Sequence, residues 1–314
     1  MDCTRRSFLL TATAAAPAKQ ATVWRIHELT FRAGREYAEP FSDVLLTCEF
    51  RGPGGRRFVV PGFYDGASAW LVRFAPDAPG RWSWRTSSNQ PADKGFEGLS
   101  GEIRVRSAEG TNPLYRHGGF LKVAPGGRYL TYTDGTPFFW LGDTWWFCPS
   151  ALMPMEGSSQ PGNPSTFRTL IDMRKRQRFS VVHMAFLGPM QQSSGTSSFQ
   201  EQMRSRRLDV DYWKTVDRYM LYANEAGIIP VIGLAFHSGM DKNPVEDWKF
   251  LWRYAVARLG AYGVTWLICG VYNLGQGDTE GRVAKALELG AFIKSLDPYA
   301  RAMTVHPWWH GGDK

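Results

Sequence analysis

Residues 266–278 read W-L-I-C-G-V-Y-N-L-G-Q-G-D, an apolar run that breaks at Gly270 into Tyr272, Asn273 and a glycine-rich loop. That is the form of a buried strand opening onto a polar site. A positioned acid at such a mouth contributes about 10²–10⁴ in rate. Val271 stands at this mouth and donates no proton at any pH. Asp278 and Glu280 are the carboxyls that the following loop offers as substitutes. Other apolar runs end in the same way: Asp143 and Thr144 close P-F-F-W-L-G-D-T, His237 follows I-I-P-V-I-G-L-A-F, and His306 follows A-M-T-V. Carboxylate, hydroxyl, imidazole and amide groups bind hydroxyls, and a flat apolar ring with a polar edge stacks on a sugar. Asp143, Thr144, Trp145, His237, Tyr272, Asn273 and His306 are therefore candidate ligand-binding residues, with Trp146 as a further wall. For Asp143, His237 and His306 the competing role is a hydrogen bond that braces a loop. His183 lies inside its strand and reads as an interior histidine. His237, His306 and His310 raise a metal, yet no H-x-H stands in the first strand, so neither a metal site nor a cofactor is expected.

The elements that must carry these residues change character along the chain. Between Val23 and Val105, V-L-L-T-C-E-F, F-V-V, W-L-V-R-F, W-S-W-R and I-R-V-R alternate with turn signals such as G-P-G-G and Y-D-G. Period-two alternation at this spacing predicts an all-β sandwich of about seven strands, with Trp70, Phe74, Trp82 and Trp84 as core and rim. After Thr111-Asn112-Pro113 come near-continuous apolar strands alternating with amphipathic helices. Helix starts are expected at Asn163-Pro164 and Asn243-Pro244, and one helix shows Trp213, Val216, Met220 and Ala223 on one face before Gly227. Such alternation means a parallel sheet covered on both faces. Polar strand ends and the lack of a glycine-rich phosphate loop favour a (β/α)8 barrel over an open doubly wound sheet. About five strands are visible, so the barrel reads as incomplete.

Composition narrows the partners. Hydrophobic residues make up 43% of 314, and no apolar run approaches the length of a membrane span. The net charge of +8 is scattered, dense only at Arg174–Arg178 and Arg204–Arg207 beside helices, which reads as solvated surface and not as a nucleic-acid site. Thirteen Trp and 14% aromatics fit a carbohydrate partner. The start M-D-C-T-R-R-S-F-L-L-T-A-T-A-A-A-P-A has the charged, apolar and small-residue regions of a twin-arginine-type signal, expected to be cleaved after Ala18 and to place the protein in the periplasm or outside the cell, without membrane insertion. Cys48, Cys148 and Cys269 remain and form no disulfide framework.

Taken together, P-F-S-D-V-L-L-T-C-E-F, V-P-G-F-Y-D-G and V-R-F-A-P-D-A-P-G-R-W-S-W in the first half, and Y-T-D-G-T-P-F-F-W-L-G-D-T-W-W, W-L-I-C-G-V-Y-N and T-V-H-P in the second, resemble a known arrangement. It is an Ig-like domain of unknown function ahead of an apiosidase-like (β/α)8 glycoside hydrolase domain. With the signal over 1–18, the resemblance implies an Ig-like domain over 22–111 and the first five strands of a barrel over 113–314. It also implies cleavage of an oligosaccharide or polysaccharide by two carboxylates, one an acid after the fourth strand. Val271 fills that place, and no second carboxylate carries over. The expectation is an exported glycoside hydrolase-like protein, or else a non-catalytic carbohydrate-binding protein or truncated pseudo-enzyme.

Overall fold

The computed structural model describes residues 19–158, 161–186, 199–273, 275 and 277–308. The signal-like start, with the export it implies, and His310 lie outside them. Eight strands form the first domain: β1 (Lys19–Thr22), β2 (His27–Arg32), β3 (Leu46–Arg51), β4 (Arg57–Pro61), β5 (Phe63–Gly66), β6 (Ala69–Phe74), β7 (Gly80–Ser88) and β8 (Ser100–Arg106). They make a five-stranded sheet, β1-β8-β7-β3-β4, and a three-stranded one, β2-β6-β5, around one apolar core. Trp70, Phe74 and Trp82 are buried in that core. One short helix, α1 (Pro40–Asp43), links β2 to β3.

A bridging segment follows: α2 (Pro113–His117) and the small antiparallel sheet of β9 (Lys122–Val123), β10 (Leu130–Thr131) and β11 (Pro137–Phe138). The second domain alternates β12 (Gly142–Trp145), α3 (Thr166–Arg176), β13 (Val181–Ala185), α4 (Phe199–Ser205), α5 (Val210–Glu225), β14 (Ile229–Gly233), α6 (His237–Lys242), α7 (Val245–Leu259), β15 (Thr265–Gly270), α8 (Thr279–Leu296) and β16 (Met303–His306). All five strands are parallel and lie in chain order, β12-β13-β14-β15-β16. Sequential order with right-handed crossovers puts every connecting helix on one face.

Side-chain parity shows this directly. Trp145, Met184, Ile232, Trp266 and Met303 share one register row across the five strands. That row packs with Phe167, Trp213, Val216 and Leu289 of the helices. The adjacent rows, Thr144-His183-Val231-Thr265 and Ala185-Gly233-Leu267-Thr304, face away from the helices. Part of that second face is covered by Leu114, Leu121 and Phe138 from the bridging segment.

Two helices start differently from expectation. Ser165, not Asn163, caps α3 by accepting from Arg168 N at 3.0 Å, because the Asn163 amide oxygen already accepts from Ser165 N and Thr169. Asn243 does not cap α7, because its amide donates to Gly239 O at 2.9 Å. The face expected of α5 is buried as read, and Gly227 ends that helix at φ 83°. No helix among the described residues is long and apolar enough to cross a membrane.

Candidate functional site

The helix-free face at the C-terminal strand ends gathers aromatic and imidazole rings. Trp146, 39% exposed, lies 5.4 Å from the His306 ring and 5.9 Å from Phe236. His183 lies edge-to-face with Trp140 at 5.8 Å and feels the charge of His306. Phe236 holds this wall because β14 and β15 offer glycine beneath it. A Cβ on Gly270 would stand 2.1 Å from the Phe236 ring, and one on Gly233 would stand 3.0 Å from it.

Val271 reaches the same face by an irregular route. Leu267 pairs with Thr304 and Gly270 with His306, so β15 carries one residue more than β16 over that stretch. The bulge inverts the parity, sending Cys269 to the helix-side core. Val271 then turns left-handed at φ 56°, its N–H donating to His306 O at 2.6 Å and its side chain packing on the helix-free cluster. Left-handed backbone is a genuine outlier for a β-branched residue.

The remaining candidates divide. Thr144 is exposed on the helix-free face. Asp143 and Trp145 stand apart from this face, because their parity turns them toward the helices. The Asp143 carboxylate pairs with Arg174 at 2.6 Å and accepts from the Trp145 indole N–H at 3.0 Å. Trp145 itself is 6% exposed against Phe167. These donors hold the Asp143 carboxyl below its usual range although burial alone would raise it. Tyr272 likewise packs on the helix-side core while its carbonyl accepts from Arg282 at 2.9 Å. Asn273 exchanges hydrogen bonds with the Trp308 backbone and so ties the loop after β15 to the chain after β16. His237 opens α6, and its Nε2 is shielded from solvent with no hydrogen-bond partner among the described residues. Asp278, read as a weak substitute acid, caps α8, accepting from Gly281 N at 2.8 Å. Among the described residues no group of three His, Cys, Asp or Glu is placed to hold a metal.

The sequence reading took His183 as an interior histidine and did not single out Phe236 or the anchor beneath this face. Arg282, fully buried, binds both Asp241 oxygens at 2.8 and 2.9 Å, the Tyr272 carbonyl and Thr279, which ties Tyr272 to α6 and to the start of α8. Parity on β13 signals His183, since Val182 and Met184 on either side are apolar.

Burial, and then the positive charge of His306, push the His183 pKa below its ordinary 6.5. The folded protein therefore binds fewer protons here than the unfolded chain. Stability is complete above pH 6.5 and is lost as pH falls from there through the lower folded value. The urea midpoint is expected to drop between about pH 7.5 and about pH 5, and His183→Gln to flatten that decline. An unchanged slope in His183→Gln would assign the acid sensitivity elsewhere.

A β-rich domain followed by a sequentially wound parallel sheet, with a ring-lined mouth at the strand ends, has the fold of a glycoside hydrolase. A candidate glycoside hydrolase from Bacteroides vulgatus superposes with TM-score 0.67 at 21% identity over 92% of this chain. The chain spans 56% of that protein's length. A second structure described as a glycoside hydrolase gives TM-score 0.47 at 23% identity, covering 63% of this chain and 43% of its own. A Bacteroides vulgatus glycoside hydrolase of family 5 gives 0.45 at 22%, covering 60% and 39%. Residues 20–89 match a domain of unknown function, DUF5060. Residues 124–314 match the apiosidase-like catalytic domain, and the chain belongs to that family. No curated protein matches it in sequence.

Proposed function

We propose that this chain is a glycoside hydrolase-type protein that holds an oligosaccharide at the C-terminal mouth of a (β/α)8-type sheet and, with valine at 271, binds the sugar without acid-assisted cleavage. The observation that carries the reading is the exposed Trp146 platform, flanked by His306 and Phe236, on the helix-free face. An indole face supplies apolar contact to a sugar ring, and the imidazoles of His183 and His306 with the Thr144 hydroxyl supply polar partners. The family and the fold of its relatives support a carbohydrate substrate. Sequential winding supports the barrel reading, and the two packed sheets support an Ig-like first domain. Export by a twin-arginine signal over residues 1–18 fits a protein that meets glycans outside the cytoplasm.

Calorimetric titration with gluco-, xylo- and manno-oligosaccharides tests this. At least one series is expected to bind, and Trp146→Ala to weaken it by about 10- to 100-fold through loss of the ring contact. Absence of binding across the panel, or an unaffected Trp146→Ala, would remove the site. Rapid turnover of alkyl glycosides by the parent chain would overturn the assignment of binding without acid catalysis.

A further inference from the structure

We propose that the cavity between the two domains binds a small aromatic carboxylate. This inference does not depend on the sugar-binding reading. The cavity holds about 250 Å³ and is walled by Phe41, Leu46, Tyr64 and Trp70 of the first domain and by Arg253 and Tyr254 of α7. Its rings meet at 4.8 Å (Tyr64 and Trp70), 5.0 Å (Phe41 and Tyr64) and 5.6 Å (Phe41 and Tyr254). Such a lining suits an apolar, planar body. The volume lies just below the usual ligand range and fits one ring with a short arm.

Arg253 supplies the polar end. Helix α7 carries three cations, and two are paired: Lys249 with Glu246 at 2.7 Å and Glu288 at 2.5 Å, Arg258 with Asp65 at 2.8 Å and Asp217 at 2.7 Å. Arg253 has no carboxylate among the described residues. Its guanidinium lies over the Phe292 ring at 5.5 Å. A planar carboxylate matches the guanidinium fork. A sugar fits poorly. Two of the wall hydroxyls are already engaged, Tyr254 with Tyr64 O at 3.0 Å and Thr47 with Ser87 at 2.9 Å, so a sugar's several hydroxyls would meet few polar partners. Because the occupant touches both domains, its binding raises their common melting temperature.

The probes are 3-phenylpropanoate and its neutral isostere 3-phenylpropanamide, read by thermal shift and tryptophan fluorescence on the full chain. The carboxylate is expected to bind saturably and to raise the melting temperature, with the amide about 10- to 100-fold weaker. Arg253→Gln should keep the parent's fold and lose the preference for the charged probe. Leu296→Trp, which fills the cavity and leaves Arg253 in place, should lose both probes. The proposal fails if the carboxylate does not bind, if acid and amide bind equally, or if either variant binds the carboxylate as the parent does.

Discussion

Asp217→Ala is expected to cost about 3–5 kcal/mol of unfolding free energy, the range for removing one partner of a buried ion pair. Asp217 on α5 neutralises two guanidiniums at once. It accepts from Arg73 of β6 at 2.7 and 2.8 Å and from Arg258 of α7 at 2.7 Å. The side chains of Arg73 and Arg258 are 8% and 1% exposed. Burial works against the charge on Arg73, but Asp217 outweighs it and holds that pKa above the ordinary guanidinium value. Without Asp217 two buried cations would face each other, with Glu28 and Asp65 left as partial counterions. This cluster joins the first domain to the helices, so one cooperative urea transition should shift as a whole. The exposed pair Arg81–Glu102, with side chains 77% and 43% exposed, is the control. Glu102→Ala should change stability by at most about 1 kcal/mol. Equal losses in the two variants would show that burial is not what gives Asp217 its weight.

Val271→Asp is expected to leave the fold intact and to raise turnover of alkyl glycosides, whose leaving oxygen needs protonation, by about 10²–10⁴ over the parent. Residue 271 holds left-handed backbone beside His306, a conformation that costs a β-branched residue about 1–3 kcal/mol and that aspartate tolerates better. The new carboxyl would occupy the helix-free face where Val271 packs now. Val271→Ala removes the same bulk without an acid and should show no gain. If neither variant turns over substrate above the parent, protonation from this position is not what the site lacks.

Much of the architecture is written locally. The period-two strands before Val105 and the apolar strands alternating with amphipathic helices after Asn112 specify a β-rich domain and then a parallel sheet, and the order of motifs specifies the family. The face each residue occupies is less legible, because alternation gives parity only relative to its neighbours. Asp143 and Trp145 end a strand as expected, yet they share rows with Val182 and Met184, which the helices cover.

The sequence by itself therefore determined the elements, their order and the strand ends at which polar and aromatic residues collect. Tertiary structure alone decided which of those residues share the mouth. One extra residue in β15 inverts parity after Leu267, and a left-handed turn at Val271 brings its side chain back to the helix-free face. No local pattern announces either feature, since both are set by β16 pairing alongside. The same holds for the Arg73–Asp217 pair, 144 residues apart in the chain, where two charges are tolerated in the interior only because folding supplies each with the other.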